Sequence, residues 1–218
     1  MYFSESEENY IKEIYHIQSV QGMVSTNALA GALGARAASV TEMLKKLQKK
    51  KLVHYKPYKN FSLTELGNRV ALEVIRKHRL WEYFLVHKLG FSWHEVHDIA
   101  EEMEHVSSRE LIQRLDHYLG SPAFDPHGDP IPDKNGKLKI IKQNRLTEVP
   151  LRKWVIVNAL KEQGGHMHQL LKHYDIHIGT KLKVNKKFDF DGSLEIKMDK
   201  QTPAIISGEV AKNIYCTV

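Results

Sequence analysis

Three short helical patterns, followed at once by a lysine-rich turn, constrain the fold of this sequence more than any other feature. Ser4 and Glu7 have the spacing of a capping box, which marks the start of a first helix. Gly22 and Gly34 interrupt the helical pattern, and residues 37–50 resume it with apolar residues at helical spacing. Three helices within about fifty residues predict a compact trihelical unit.

Two β-type runs follow the third helix and enclose a basic turn. The runs are Leu52–Tyr55 and Phe61–Leu63, and the turn is Lys56-Pro57-Tyr58-Lys59-Asn60. A trihelical unit with such a hairpin is the layout of a winged helix-turn-helix, whose third helix reads base edges while lysines contact phosphates. The predicted DNA-binding residues are Arg36, Ser39, Thr41, Glu42, Lys45, Lys46, Lys49, Lys56 and Lys59.

The distribution of charge supports DNA binding more than its total does. The net charge is +6 and the pI is near 9.2, values that also occur in proteins without a polyanionic partner. Between Met43 and Thr64, however, the sequence has seven lysines and no acidic residue. A solvated lysine face is the alternative, but the trihelical unit and the basic turn together favour DNA.

The composition excludes several other classes of protein. A single cysteine, Cys216, rules out an intramolecular disulfide framework and Cys-rich zinc modules. No apolar run of about eighteen residues is present, and residues 1–10 lack the pattern of a signal peptide. We therefore expect a cytoplasmic protein without a membrane span, in which any metal is bound by histidine and carboxylate groups.

A long apolar helical pattern over residues 65–89 contains a histidine and a carboxylate one turn apart. His78 and Glu82 share a face with apolar neighbours, so both groups need a partner when they are buried. A metal ion would serve both groups. The alternative is a satisfied His–Glu hydrogen bond in the core.

A second helical pattern, residues 93–106, carries four further groups of the same kind. Within an arc of about 100° it presents His97, Glu101, Glu104 and His105. One such helix could equally have a solvated charged face, but two helices with histidine and carboxylate at this spacing favour a divalent cation. The sequence has no HExxH motif, nucleophile elbow, P-loop or GxGxxG motif to indicate an enzyme.

Several short motifs follow one another in the order found in a known family. They are Glu8-Asn9-Tyr10-Ile11, Ile14-Tyr15, Ser39-Val40-Thr41, Leu52-Val53, Leu63-Thr64 with Gly67, His78-Arg79-Leu80, Val96-His97-Asp98 and Glu104-His105-Val106. Together, residues 1 to about 145 resemble the iron- and manganese-dependent repressors of the diphtheria toxin repressor and manganese transport regulator family. The resemblance implies a homodimeric repressor of metal homeostasis genes that binds a palindromic operator, with the metal as corepressor.

The resemblance also implies two metal sites in each subunit. The implied ligands are Asn9, Glu101, Glu104 and His105 at the primary site and His78, Glu82 and His97 at the second site. Iron-selective relatives have cysteine where this chain has Glu101, so the donor set favours Mn²⁺, with Fe²⁺ as the alternative. Asn9 stands where manganese-type relatives have Asp, and Lys12 stands where short members have Glu. The short-form binuclear site is therefore not expected.

Turn-forming residues between 121 and 136 mark a boundary before the last third of the chain. Asp125 and His127 lie within this stretch, and longer members of the family take second-site ligands from it. The alternative is a turn aspartate and a surface histidine. Weaker candidates for a further ligand are Glu162, His166 and His168.

The last third is predicted to be mainly β. Short strand-like runs begin at Leu146–Val149, and residues 170–178 have the pattern of a helix. This arrangement resembles the small SH3-like barrel, of the FeoA type, that longer family members carry and that occurs alone in bacterial iron-transport proteins. Its role in this chain is open between stabilising the dimer and binding a peptide.

The predicted architecture is mainly α with a small β domain. We expect a winged helix-turn-helix at residues 1–64, a helical metal-binding and dimerisation domain at 65–120, a linker at 121–145 and an SH3-like β-barrel at 146–218. The dimer interface should come from helices within residues 93–119. We expect neither a membrane nor a small-molecule substrate as a partner.

Two other functions compete with the repressor. A metal-dependent hydrolase or oxygenase could use the His/Glu helices, but it leaves the winged N-terminus unexplained. A DNA-binding protein whose His/Glu cluster is only a structural polar network would not depend on metal. A measurement of DNA binding with and without metal distinguishes the repressor from these two alternatives.

Overall fold

The computed structural model describes residues 3–57, 59–106, 108–138, 142–161, 165–199 and 202–217. The chain divides into two units. The first unit comprises residues 1–81, 100–118 and 132–138, and the second comprises residues 82–99, 119–131 and 139–218. Each unit has a hydrophobic core of its own.

Helices form most of the N-terminal part of the chain. They are α1 (Glu5–Gln21), α2 (Thr26–Ala32), α3 (Ala37–Lys49), α4 (Glu65–Leu89), α5 (Val96–Met103) and α6 (Arg109–Tyr118). Strands β1 (Val53–His54) and β2 (Ser62–Leu63) pair antiparallel between α3 and α4. The predicted trihelical unit and its hairpin are thus confirmed. Among the described helices, none combines the length and the hydropathy that a membrane span requires.

The start of α1 is fixed by the predicted capping box. The Glu7 amide donates to the Ser4 hydroxyl at 3.3 Å, and the Ser4 amide donates to the Glu7 carboxylate at 2.9 Å. Glu7 is buried, and its carboxylate also binds Lys50 Nζ at 2.7 Å and Lys46 Nζ at 3.4 Å. Because Lys50 is the residue that caps α3, the first turn of α1 is tied to the end of the predicted recognition helix.

The core of the first unit joins α1, α3 and the hairpin. Its largest fully buried side chains are Ile11, Ile14, Leu29, Leu44, Leu47, Leu52 and Phe61. Gly67 allows α4 to lie directly against the chain after α3, since a Cβ at this position would overlap the Leu52 carbonyl. This contact places the start of α4 against the winged helix-turn-helix.

The second unit is built on a six-stranded antiparallel sheet. Its strands are β3 (Asn144–Arg145), β4 (Trp154–Leu160), β5 (Lys181–Lys187), β6 (Leu194–Met198), β7 (Ala204–Ile206) and β8 (Ile214–Thr217), in the order β3-β8-β4-β5-β6-β7. A 3₁₀ turn (Leu146–Glu148) follows β3, and helices α7 (Gly165–His173) and α8 (Gly208–Lys212) complete the unit. Cys216 is buried in this core, and burial raises the pKa of its thiol to about 12.

Three elements differ from the sequence-based expectation. The helix expected over residues 93–106 is shorter, because a turn precedes α5 and residues 104 and 105 form a turn after it. The helix expected over residues 170–178 begins earlier as α7 and ends before Asp175, which has a left-handed φ of 57°. The run Leu146–Val149 starts with the 3₁₀ turn and is not a strand.

Candidate metal centres and nucleic-acid interface

Five residues of the first unit form a partly buried polar group that we call the first-unit cluster. They are Lys12, His78, Glu101, Glu104 and His105. The Lys12 ammonium lies 2.6 Å from Glu101 Oε1 and 2.6 Å from Glu104 Oε1. The second oxygen of Glu104 is 2.7 Å from His78 Nδ1. Glu104 has no exposed side-chain surface, so its charge depends on these neighbours.

His105 is oriented by a carboxylate outside the cluster. Its Nδ1 donates to Glu8 Oε2 at 2.7 Å, since an ionised carboxylate can only accept. In the neutral imidazole the lone pair is then on Nε2, which lies 3.7 Å from Glu104 Oε1. Metal-binding histidines characteristically have such a carboxylate on the opposite ring nitrogen.

Asn9 contributes an unsatisfied oxygen on the same helix as Lys12. Its Oδ1 is buried and has no hydrogen-bond partner in the part of the chain that the structure describes. A buried amide oxygen without a donor is uncommon, and a cation would satisfy it. The first-unit residues therefore fit a divalent ion in their donor set, although Lys12 already binds both carboxylates.

The electrostatic balance at Glu104 favours the carboxylate. Burial alone would raise the pKa of Glu104, but the hydrogen bond from His78 and the charge and hydrogen bond of Lys12 outweigh burial and lower the pKa. Glu104 is therefore available as an anionic ligand at neutral pH.

Three residues of the second unit form another buried group, the second-unit cluster. Glu82, Asp125 and His127 each offer a ligand atom within 4.8 Å of the other two, and all three are buried. His97 lies at the edge of the group, with Nδ1 3.5 Å from Glu82 Oε1. The Asp125 carboxylate is held in place by the amides of His127 and Asp129, at 2.8 and 2.9 Å.

A backbone carbonyl fixes the orientation of the His127 ring. Nε2 donates to the Trp93 carbonyl at 2.8 Å, which leaves Nδ1 as the ligand atom. This buried Nδ1 lies 3.5 Å from Glu82 Oε2 and has no hydrogen-bond partner among the described residues. Burial alone would lower the pKa of His127, but Glu82, Asp125 and the Trp93 carbonyl outweigh burial and raise it. The site therefore attracts positive charge, either a proton or a metal ion.

The turn that carries Asp125 and His127 is fixed to strand β4. The His127 carbonyl accepts from the Leu160 amide at 3.0 Å. Gly128 has a φ of +86°, and a Cβ there would overlap the carbonyl of Asn158, where β4 has a bulge. Because Gly128 has no side chain, the turn that carries Asp125 and His127 can lie directly against β4.

The structure distributes the predicted ligands over both units. Glu101, Glu104, His105 and Asn9 lie in the first unit, where His78 also binds Glu104, whereas Glu82, His97, Asp125 and His127 lie in the second. Glu162 lies outside the described residues, as do the side chains of His166 and His168. Sequence reasoning missed Glu8 as the partner of His105; the only local signal was its position beside Asn9.

The predicted DNA-binding residues lie on the outer side of α3 and on the hairpin. Those exposed to solvent are Arg36, Ser39, Glu42, Lys45, Lys46, Lys49, Lys56 and Lys59, and Thr41 is half-buried. Val40, Leu44 and Leu47 occupy the buried face of α3. The helix therefore presents its polar positions outward, as contact with a DNA groove requires.

Three stretches of the chain match known domain families. Residues 2–61 match the iron-dependent repressor N-terminal DNA-binding domain, and residues 64–133 match the iron-dependent repressor metal-binding and dimerisation domain. Residues 144–218 match the FeoA domain. These families follow in the order that the sequence predicts.

Curated relatives decide the family. The iron-dependent repressor IdeR of Mycobacterium leprae is 31% identical over 186 residues, which cover 81% of this chain and 77% of that protein. The chain belongs to this family of metal-dependent repressors. IdeR of Mycobacterium bovis is 34% identical over 126 residues, or 57% of this chain, so the match spans about half (54%) of that repressor's length. The family consists of transcriptional regulators, and the hydrolase or oxygenase alternative has no support.

Solved structures of similar repressors cover nearly the whole chain. A manganese-dependent transcriptional repressor in complex with manganese is 32% identical, covers 96% of this chain and 98% of its own, and gives a TM-score of 0.83. ScaR with bound Cd²⁺ is 29% identical, covers 97% and 98%, and gives a TM-score of 0.74. The mainly α fold with a small antiparallel β domain is thus shared with metal-dependent repressors.

Proposed function

We propose that this repressor homologue binds a palindromic operator as a homodimer when Mn²⁺, or alternatively Fe²⁺, occupies its histidine–carboxylate clusters. It would act in the cytoplasm and repress genes of metal homeostasis. The observation that carries the proposal is the second-unit cluster, in which the buried His127 Nδ1 faces Glu82 and Asp125 without a hydrogen-bond partner in the described ranges. A divalent cation bound at Nδ1 would take the place of the proton that these two carboxylates attract to the imidazole.

The residues that would hold the metal are nitrogen and oxygen donors. In the second-unit cluster they are Glu82, Asp125 and His127, with His97 nearby. In the first-unit cluster they are Asn9, Glu101, Glu104 and His105, with His78 on Glu104. The one thiol is in the core of the β domain, so no thiolate joins this donor set, which favours manganese or iron. We propose one ion for each cluster.

The same proposal assigns roles to the parts of the chain. Residues 1–64 would bind DNA, residues 65–120 would hold metal and form the dimer through helices within 93–119, and residues 146–218 would form the SH3-like domain after a linker. A two-fold dimer would place two α3 helices on successive major grooves of a palindrome. Metal would increase operator affinity, and linkage requires the operator to increase metal affinity by the same factor.

Selection of DNA from a random duplex pool tests this function without the choice of an operator sequence. The purified protein is stripped with chelator, and selection is repeated with Mn²⁺, with Fe²⁺ under anaerobic conditions, and with chelator alone. We expect a palindromic sequence to be enriched only when metal is present. Equal enrichment in chelator would show that the clusters are structural, and no enrichment in any arm would exclude a DNA-binding function.

A further inference from the structure

Lys12 gives the first-unit cluster a cation that belongs to the chain itself. Its ammonium lies 2.6 Å from one oxygen of Glu101 and 2.6 Å from one oxygen of Glu104. Its side chain is only 11% exposed and Glu104 is fully buried, so water screens the Lys12–Glu104 pair poorly, whereas the Glu101 side chain is 36% exposed. Lys12 therefore holds together the two carboxylates that would otherwise need a metal ion.

The geometry makes the ammonium and a divalent cation alternatives. An ion bound by Glu101 and Glu104 would occupy the space between their oxygens, which Lys12 Nζ now bridges at hydrogen-bond distance from both. Two cations at that point would repel each other strongly in a buried environment. The other groups do not share this competition: Asn9 Oδ1 has no partner in the described chain, and His105 is held by Glu8.

We propose that Lys12 is a tethered competitor that sets the metal concentration at which the first-unit cluster fills. In the metal-free protein the ammonium keeps the carboxylates together. Metal binds only when Lys12 Nζ has left the two carboxylates. The more stable the Lys12 bridge is, the lower is the observed affinity for metal. This inference rests on the proposed function, because it requires the first-unit cluster to bind metal.

The decisive variant is Lys12→Met, which keeps much of the side-chain length and removes the charge. It is made together with His127→Gln, so that Mn²⁺ binding at the second-unit cluster is disabled and binding at the first is measured alone. The loss of the paramagnetic resonance signal of free Mn²⁺ reports the affinity. We expect Lys12→Met to bind Mn²⁺ about ten- to a hundredfold more tightly than its parent, since a buried ion-pair partner is removed from two ligands.

Lys50→Met is the matched control. Lys50 Nζ also lies 2.7 Å from a buried carboxylate, that of Glu7, and its removal changes the net charge equally. Because Glu7 is outside the cluster, we expect less than about a twofold change in Mn²⁺ affinity. Equal tightening in both variants would show a general charge effect and overturn the role of Lys12.

A second measurement uses the unaltered protein and stays informative if Lys12→Met does not fold. Amine acylation by a water-soluble ester, quantified by mass spectrometry, reports access to each lysine. Lys12 should react slowly without metal and several-fold faster once Mn²⁺ releases its ammonium, while Lys50 stays unchanged. Unchanged or slower reaction of Lys12 with Mn²⁺, or no tightening in Lys12→Met, overturns the proposal.

Mn²⁺ binding and DNA selection together separate the role of Lys12 from the repressor function. If the parent and Lys12→Met bind Mn²⁺ equally, Lys12 is only structural, while metal-dependent selection of DNA by the unaltered protein still supports the repressor. If neither binds Mn²⁺, the first-unit cluster is not a metal site and the inference falls with it. Binding by Lys12→Met alone would be the extreme case of the competition and supports the proposal.

Discussion

The two clusters solve the same electrostatic problem in different ways. Each gathers carboxylates, at least one of them buried, beside a histidine whose ring is held by an outer partner. The first uses a lysine ammonium as counter-ion and the second uses the imidazole itself. In the first unit the outer partner is the Glu8 side chain; in the second it is the Trp93 carbonyl. A side chain can be substituted and a carbonyl cannot, so the two sites respond to mutation differently.

The largest effect is expected from removing a ligand charge in only one cluster. Glu104→Gln should weaken Mn²⁺ binding at the first-unit cluster by more than about a hundredfold and abolish Mn²⁺-stimulated DNA binding, because a fully buried anion is lost. Calorimetric titration with Mn²⁺ and DNA binding by anisotropy measure both. Glu102→Gln, an exposed neighbour, is the control. A normal response of Glu104→Gln to Mn²⁺ would mean that the second-unit cluster alone regulates DNA binding.

A somewhat smaller effect is expected at the outer partner of His105. Glu8→Gln should lower Mn²⁺ affinity at the first-unit cluster by about ten- to a hundredfold, since the carboxylate no longer orients the imidazole. The second-unit cluster should keep its affinity, which a two-site calorimetric titration resolves. Glu5→Gln, exposed on the same helix, should change neither site. Equal losses at both sites would show that the clusters are not independent.

The backbone of the second-unit cluster can be disturbed through Gly128. Gly128→Ala should reduce the free energy of unfolding by more than about 1 kcal/mol, because alanine has a strained φ there and its Cβ overlaps the Asn158 carbonyl. The displaced turn should weaken Mn²⁺ binding at this cluster only. Gly179→Ala separates backbone strain from steric overlap, because Gly179 also has a left-handed φ, of +93°, but has open space where the Cβ would lie. Equal destabilisation of both variants in urea would remove the packing explanation.

The smallest effect is a decline in stability with rising pH that comes from His127 of the second-unit cluster. Because the pKa of folded His127 is raised above the ordinary value of 6.5, its contribution to stability is complete below that pH and is lost as pH rises through the folded pKa. Urea unfolding of the metal-free protein should show this decline, with a slope of at most about 1.4 kcal/mol per pH unit. His127→Gln should remove the decline, and His177→Gln, at an exposed position, should retain it.

Local patterns predict what local chemistry determines. The capping box of Ser4 and Glu7 is predictable from the sequence, because its partners are three residues apart. The Asp125 turn is equally predictable, since the backbone amides that donate to its carboxylate lie two and four residues further along the chain. By contrast, the approach of Glu82 to His127 depends on folding segments 45 residues apart in sequence, and no spacing rule encodes it.

The features that the sequence does not predict depend on tertiary packing. Glu8 and Lys12 meet their cluster partners across about ninety residues of chain, so their roles arise only from how α1 packs. The sequence pattern also places Glu104 and His105 on a continuing helix, whereas α5 ends at Met103 and both residues lie in the turn that follows. A helical pattern in the sequence does not fix the last residue of a helix, because helix ends fray by one or two residues.

Glu7 and Glu8 are adjacent on α1 and therefore point about 100° apart around its axis. One carboxylate is attached to the end of α3 through Lys50, and the next is attached to His105. A single peptide unit thus connects the predicted recognition helix to a histidine of the first-unit cluster. Any rotation of α1 that accompanies a change of cation would therefore move the contact that Glu7 makes with Lys50 at the end of α3.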